Sequence, residues 1–288
     1  VPEGDTVLVA ATRLHAALAG DRLIRTDFRV PAAATTDLSG RVVLEVVPRG
    51  KHLLCRTDGG LTVHSHLGMD GRWDLRAQPA RTGGTGHEVR CILTTDRWIA
   101  VGRNLRVVEV LPTADESRVV GHLGPDVLGP DWDREEVVRR LMERPERAVG
   151  EALVDQRVMA GPGNVYRSEV CFLRGLDPWT PVGSVADVAA LVGLMKRLME
   201  ANRTTGAQVT TGDRRPGRSR WVYGRGGEGC RRCGTPIRRG EQGDAGRERV
   251  TYWCPSCQPG DGPGMAAGRS VTRDASTGRS PSARSAER

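Results

Sequence analysis

Lysine is almost missing from this chain of 288 residues: of 43 basic residues, all but Lys51 and Lys196 are arginine. Aromatic residues are scarce too, at 4%. No apolar run approaches the roughly 20 residues that a membrane span needs, which excludes an integral helical membrane protein and leaves no membrane partner to expect. The opening Val1-Pro2-Glu3-Gly4-Asp5 lacks the basic and apolar regions of a secretory signal, so the expected location is the cytoplasm. In that reducing setting, clustered cysteines among the seven present read as metal ligands, not disulfides. No internal repeat period is seen, which removes collagen, coiled-coil and solenoid classes. The length predicts about two domains.

What charge there is sits unevenly. Residues 1–202 carry a net charge of −1, residues 203–258 carry +7 and residues 259–288 carry +2, for +8 overall. A basic segment of this kind suits a polyanion such as nucleic acid, although a solvated arginine face gives the same count. The two lysines stand out against this background. A position that stays lysine in such a chain is a candidate for chemistry arginine cannot do, namely giving up a proton. Lys196 lies in a helical pattern, where a solvated face explains it. Lys51 follows Pro48-Arg49-Gly50, a turn between two β-rich runs, and so stands at the mouth of a hairpin.

The pattern predicts a helix over 6–19 capped by Asp5, with Val7, Ala11, Leu14 and Leu18 on one face. Short β-rich runs follow at Val42–Val47, His52–Arg56, Leu61–His64, Cys91–Thr94, Trp98–Val101 and Val107–Leu111, as in an antiparallel sandwich or barrel. Helices are expected near 133–144, 146–158, 164–174 and 184–202, the last capped by Ser184 with Asp187 three residues on. Residues 206–227 read as a mobile Gly/Arg-rich loop. Residues 259–288 have almost nothing to bury and read as disordered.

Cys230 and Cys233, then Cys254 and Cys257, form C-x2-C-x20-C-x2-C. Each pair aims two thiolates at one point, and two pairs complete a closed tetrahedral shell for a structural Zn²⁺ that would hold a small β-hairpin. Cys55, Cys91 and Cys171 are isolated in apolar stretches and read as core.

Several motifs recur in a fixed order. Pro2-Glu3-Gly4-Asp5 opens the chain, Arg49-Gly50-Lys51 lies in a hairpin, and Ser65-His66-Leu67-Gly68-Met69-Asp70-Gly71 follows a strand. Leu153-Val154-Asp155-Gln156 leads into Ala160-Gly161-Pro162-Gly163-Asn164-Val165-Tyr166-Arg167-Ser168-Glu169, and Arg249-Val250-Thr251-Tyr252-Trp253-Cys254 closes the set. Over about residues 2–258 this resembles the formamidopyrimidine-DNA glycosylase/endonuclease VIII family of DNA repair enzymes. The fold this implies is α+β: an N-terminal helix and two-sheet β-sandwich (1–115), a helical domain with a helix–two-turn–helix motif (116–225), a zinc-finger hairpin (226–258) and a disordered tail (259–288). Damaged DNA is the implied partner, bound by a monomer.

The resemblance also implies roles. Pro2, freed by removal of the initiator, would attack C1′ of the damaged nucleotide through a secondary amine; an α-amino group of pKa ~7.7–8 is partly unprotonated at neutral pH. Val1 is read as a GUG start codon translated literally; if it stayed attached, Pro2 would be an amide and no nucleophile. Glu3 would protonate the sugar ring oxygen, and Lys51 would contact phosphate and move protons. Arg249 would bind a phosphate beside the lesion and assist δ-elimination. Asn164 would contact DNA where the Gly161-Pro162-Gly163 turn leaves backbone N–H groups free for a phosphate. An ordinary glycine turn with an Asn cap is the plainer reading of that stretch. Met69 would fill the gap left by the extruded base. His122 stands where a DNA-binding arginine is often found. His64 and His66 alternate on one strand and suit structural or phosphate-contact roles.

Pro2-Glu3-Gly4, Tyr252-Trp253-Cys254 and Gly124-Pro125-Asp126 look like the endonuclease VIII branch, whereas the His66–Gly71 loop looks like the formamidopyrimidine branch. The Arg-Arg-Phe wedge of the latter is replaced by Gly102-Arg103-Asn104-Leu105. The implied activity is bifunctional: excision of an oxidised base, a pyrimidine first and 8-oxoguanine or formamidopyrimidine second, then strand cleavage by β,δ-elimination. A reading from another class is a non-catalytic zinc-dependent protein that binds DNA lesions. Pro2, Glu3, Lys51 and Arg249, all present, speak against it.

Overall fold

The computed structural model describes residues 1–79, 86–246 and 248–264. Helix α1 (Gly4–Leu18) buries Val7, Ala11, Leu14 and Leu18, the stripe expected from their spacing. Its N-cap position belongs to Glu3, not Asp5. Asp5 lies inside the first turn, where its carboxylate accepts from Thr6 N at 2.8 Å and from the Tyr166 hydroxyl at 2.7 Å.

Eight strands follow: β1 (Arg25–Phe28), β2 (Val43–Arg49), β3 (His52–Thr57), β4 (Leu61–His66), β5 (Arg72–Ala77), β6 (Val89–Thr94), β7 (Trp98–Arg103) and β8 (Val107–Pro112). They form two four-stranded antiparallel sheets, ordered β1-β6-β7-β5 and β2-β3-β4-β8. Val46, Leu53 and Val63 from one sheet and Phe28, Leu93 and Ala100 from the other share a core with α1. The nearly continuous burial of β4 and β6 follows from this two-layer packing, while in β2 a register irregularity between Val43 and Glu45 sets the buried Val43 and Val46 three residues apart. Cys55 and Cys91 lie in that core, and Cys171 in the next.

After the short α2 (Ser117–Val120) the chain is helical: α3 (Arg134–Met142), α4 (Val149–Ala152), α5 (Asn164–Leu173) and α6 (Val188–Asn202) pack around Val137, Leu141, Tyr166, Val170, Leu191 and Met195. The helix expected over 146–158 shrinks to the single turn α4. There, Val149 N and Gly150 N donate to Thr180 O and Pro178 O, and Asp155 accepts from Arg147 and from Arg157 N. These partners outbid a continuing helix. Ser184 does not cap α6: it closes a short 3-10 turn, Val182–Ser184, and Asp187 is the cap, accepting from Ala190 N at 2.7 Å. Lys196 is more than a solvated face. Its Nζ donates to Val127 O at 2.6 Å and pairs with Glu200 at 3.2 Å.

The hairpin β9 (Arg238–Gln242) and β10 (Arg249–Trp253) is too small to bury much alone. It shares a third core of Phe172, Val222, Cys230, Ile237 and Cys254, so the end of α5 supplies what the hairpin lacks. The 206–227 segment has no regular structure but is anchored, as the site below shows. Of the tail expected to be disordered, residues 259–264 are described and lie against the body: Gly262 N donates to Asp177 Oδ2 at 2.9 Å. Residues 265–288 lie outside the described residues. Among the described residues, no helix is long and apolar enough to cross a membrane.

The two candidate caps of α6 can be told apart. Asp187→Ala should cost about 1 kcal/mol, as loss of an N-cap does, whereas Ser184→Ala should be close to neutral. Urea midpoints of the two variants compared with wild type check this.

Candidate active site and metal centre

The centre of the molecule is a carboxylate. Glu3 is 1% exposed, and its two oxygens accept from Gly163 N at 2.6 Å and Val165 N at 2.7 Å, the first amides of α5. The N-terminal residue of one helix thus satisfies the orphan donors of another, where the helix dipole favours a negative charge. Burial nevertheless raises the Glu3 pKa above its ordinary value, with the Lys51 charge and the two amides pulling it back. This disposes of one expectation. The Gly161-Pro162-Gly163 turn does not offer free amides to a phosphate, because Gly161 N donates to Gln156 Oε1 at 3.0 Å and Gly163 N to Glu3. Asn164 does sit at the start of α5, and its Oδ1 is buried without a partner.

Gly163 is required by space. A Cβ there would meet Glu3 Oε1 at 2.7 Å and Lys51 Nζ at 2.9 Å, so both functional groups converge on this glycine. Lys51 reaches it from the tip of the β2–β3 hairpin. Gly50 adopts φ +58° there, and its N–H donates to Asp126 Oδ2 at 2.6 Å. Arg49 is gripped by Asp131 at 2.7 Å and by Gly124 O at 3.1 Å. Gly124-Pro125-Asp126 therefore positions the lysine, a role that the sequence reading did not give it. Burial lowers the Lys51 pKa to about 8, with Arg249 and Arg167 pushing the same way and Glu3 opposing. A lysine held near neutrality is what its survival among arginines suggested.

Arg167, fully buried on α5, was missed as well. Its Nη2 donates to Val250 O at 2.9 Å and to Arg249 O at 3.4 Å, tying α5 to β10. Burial lowers its pKa to about 10. Arg249 begins β10 with an exposed side chain close enough to Lys51 to depress its pKa.

The expected strand histidines belong to a larger group. Strand register sets His52 opposite His66. His52 Nδ1 and His64 Nε2 are 2.8 Å apart, and His64 Nδ1 bonds Glu109 at 2.7 Å. A carboxylate only accepts, so His64 donates from Nδ1. Burial and neighbouring charges lower His52 to about 3 and His66 to about 4. Both rings are therefore neutral at physiological pH, and His66 Nδ1 accepts from Gly68 N at 2.9 Å. That bond holds the loop carrying Met69, which is 66% exposed. His122 is exposed and near enough to His52 to contribute to its depression. Arg103 is no exposed wedge: it is buried between Asp74 and Glu88.

Two further residues escaped the sequence reading. Glu169, fully buried, accepts from Trp221 N, Val222 N and Tyr223 N at 2.7–2.9 Å and from the Thr210 hydroxyl, which anchors the 206–227 loop to α5. Gln208, 3% exposed, bonds Val1 O through Nε2 and Arg220 Nη2 through Oε1, both at 2.9 Å. The only hint in the sequence was the chain of polar residues in an otherwise glycine-rich loop.

Cys230, Cys233, Cys254 and Cys257 bring their sulfurs within 4.8 Å of one another, with contacts of 3.4–3.9 Å. Tetrahedral bonds of 2.3 Å to one ion would set sulfurs about 3.8 Å apart, so the four cysteines fit a single metal. Arg232 N and Cys257 N donate to Cys230 and Cys254 sulfurs, as knuckle turns around a bound thiolate do.

Comparison with known proteins agrees with this geometry. Residues 1–110 match the formamidopyrimidine-DNA glycosylase N-terminal domain, and residues 123–211 match the formamidopyrimidine-DNA glycosylase H2TH domain. The probable endonuclease 8 2 of Streptomyces coelicolor is 58% identical over 266 residues, covering 91% of this chain and 96% of the relative. The DNA-(apurinic or apyrimidinic site) lyase Nei2 of Mycolicibacterium smegmatis is 48% identical, covering 90% and 99%. Among solved structures, Lactococcus lactis formamidopyrimidine-DNA glycosylase, non-covalently bound to DNA containing an abasic site, superposes with a TM-score of 0.74. It covers 90% of this chain and 100% of that one, at 21% identity, a likeness of fold.

The buried amine generates a prediction. Folding depresses the Lys51 pKa from 10.5 to about 8, so the folded state binds fewer protons than the unfolded state between those values. Its contribution to stability rises as pH climbs through that window and is lost again as pH falls to about 8. The wild type should gain stability on Lys51→Met from pH 8 to 10.5 in parallel urea titrations. A flat difference would mean that the ammonium is solvated.

Proposed function

The chain belongs to the formamidopyrimidine-DNA glycosylase/endonuclease VIII family, and on that premise we propose that it is a bifunctional DNA glycosylase/AP lyase that removes oxidised bases, pyrimidines in preference. The observation that carries this reading is the meeting of Glu3 and Lys51 at Gly163, one residue from Pro2. The secondary amine of Pro2, freed of Val1, attacks C1′, the C1′–base bond breaks, and the amine's N–H proton leaves with the departing base, so the nitrogen keeps a lone pair. Glu3, whose pKa burial raises above the ordinary carboxylate value, protonates the ring oxygen O4′. The C1′–O4′ bond breaks and the nitrogen lone pair forms the iminium. Loss of a C2′ proton expels the 3′ phosphate, and a second elimination expels the 5′ phosphate.

Lys51, poised near neutrality, moves a proton in these steps and touches phosphate. Arg249 takes the phosphate beside the lesion, and Asn164 and His122 contact the DNA backbone. Met69 fills the space the extruded nucleotide leaves. The sandwich of 1–115 and the helical part of 116–225 grip the DNA between them, the 226–258 finger presents Arg249, and the tail of 259–288 is dispensable. The protein acts as a monomer on damaged DNA in the cytoplasm. Burial of Arg103 against Asp74 and Glu88 argues against the 8-oxoguanine alternative, which would want an exposed wedge there.

Borohydride tests the central step. A preparation beginning at Pro2 should form a trapped covalent adduct with a duplex carrying an oxidised pyrimidine, and Pro2→Gly should trap far less. Efficient trapping by protein whose intact mass includes Val1 would rule the Pro2 mechanism out.

The metal is zinc on this reading, for four thiolates form a soft, closed shell that suits Zn²⁺ and leaves no position for catalysis. Metal analysis should find about one zinc per chain. Cys254→Ser should lose both the zinc and DNA binding while the Cys55–Cys91 core stays folded. Full zinc content in that variant would assign the metal elsewhere.

A further inference from the structure

Gln208 has a backbone that its side chain does not favour. Among the described residues only Asn104 and Gln208 are non-glycine residues with positive φ, and Gln208 has φ +53°. For an unbranched residue with no short polar group to bond locally, this left-handed conformation is strained. The surroundings enforce it. Asn202 Oδ1 accepts from Val209 N at 2.8 Å, Asn202 Nδ2 donates to Val209 O at 2.9 Å, and Gly206 N donates to Asn202 O at 2.8 Å. The carboxamide is oriented as firmly: Arg220 Nη2 donates to Oε1 at 2.9 Å, with the guanidinium 5.2 Å from the centre of the Tyr223 ring. With Oε1 occupied, Nε2 must face the N-terminus, where it donates to Val1 O at 2.9 Å.

The atom it meets is informative. The carbonyl carbon of Val1 is bonded to the Pro2 nitrogen, and its oxygen lies two bonds from that nitrogen. In the aminal that forms when a free Pro2 displaces a base, C1′ takes the place of the carbonyl carbon. O4′, bonded to C1′, is likewise two bonds from the nitrogen. The Val1 peptide group is thus a stand-in for the sugar carbon on Pro2. We propose that Gln208 is a catalytic residue whose Nε2–H holds O4′ of the sugar attached to Pro2, with Arg220 as its positioning residue. This rests on the Pro2 reading above.

The chemistry balances without a titratable group at Gln208. O4′ has two lone pairs. One accepts the Gln208 hydrogen bond and the other receives the Glu3 proton. When C1′–O4′ breaks, O4′ leaves as the C4′ hydroxyl with the Glu3 proton, the Pro2 lone pair forms C=N⁺, and the Gln208 N–H is never transferred. A preorganised neutral donor, dry and fixed in orientation, stabilises the charge developing on O4′ as the bond opens. The strained backbone is what delivers the amide to that point.

Two variants separate chemistry from loop shape. Gln208→Gly suits φ +53° and deletes the amide, and Gln208→Asn tolerates that φ with an amide one methylene short. Both should bind a duplex with a tetrahydrofuran abasic analogue within about twofold of wild type. Their single-turnover borohydride trapping at saturating abasic-site DNA should slow by roughly 10- to 100-fold, less than the ~10²–10³ of a lone oxyanion donor because Glu3 remains. Trapping within twofold of wild type would overturn the proposal, as would a loss of affinity equal to the loss of rate, which would assign Gln208 to loop shape alone. Wild-type protein that begins at Pro2 and yields no adduct would instead overturn the Pro2 reading itself.

Discussion

A single carboxylate joins parts of this protein that lie 160 residues apart. Glu3 caps α5 from the start of α1, and everything chemically interesting is arranged around that bond. It fixes the N-terminal residues against the helical region and meets Lys51 at Gly163, where a side chain would have to displace Glu3 and Lys51. A capping carboxylate is ordinarily stabilised as an anion by the helix dipole. Here burial outweighs the dipole and raises the pKa. The same group is therefore a structural tie whose proton affinity is raised by its own burial.

The electrostatics around it follow from crowding cations rather than pairing them. Arg249 and Arg167 both depress Lys51, and Arg249 depresses Arg167, while Glu3 opposes the effect at Lys51 and, with Cys171 and Glu151, at Arg167. Such an excess of positive charge costs stability in the free protein and is relieved by a polyanion. Arg167 answers part of that cost with the carbonyls of β10. In this way the strand bearing Arg249 is held in register with the helix bearing Asn164.

The elements with strong local signals were legible in the sequence. Six strands of the sandwich agree within two residues at each end, because β-rich runs and glycine punctuation determine them locally, whereas β1 and β5, weaker in apolar signal, were not named. The four cysteines were legible from spacing, and Lys51 from its rarity. What failed depended on partners distant in sequence. Ser184 and Asp187 both suit an N-cap, and only the fold of the preceding 3-10 turn decides between them. Nothing local reveals that the amides of the Gly161–Gly163 turn are claimed by Gln156 and Glu3, nor that the 146–158 segment loses its helix to Pro178 and Thr180. His52 was overlooked because its partnership with His64 and His66 exists only across strands.

The anchoring of the 206–227 loop differs in kind from the ion pairs that cover the surface. Glu169 is fully buried and bonds three backbone amides and a hydroxyl, all neutral. Ion pairs exposed to solvent weaken as salt rises, and so does attraction to DNA phosphates. A buried carboxylate bound to neutral donors has no mobile counterion to lose and is not screened. Ionic strength can therefore loosen the hold on the phosphate backbone without releasing the loop. Attraction to a polyanion and the anchoring of this loop are governed by forces with opposite tolerance to salt.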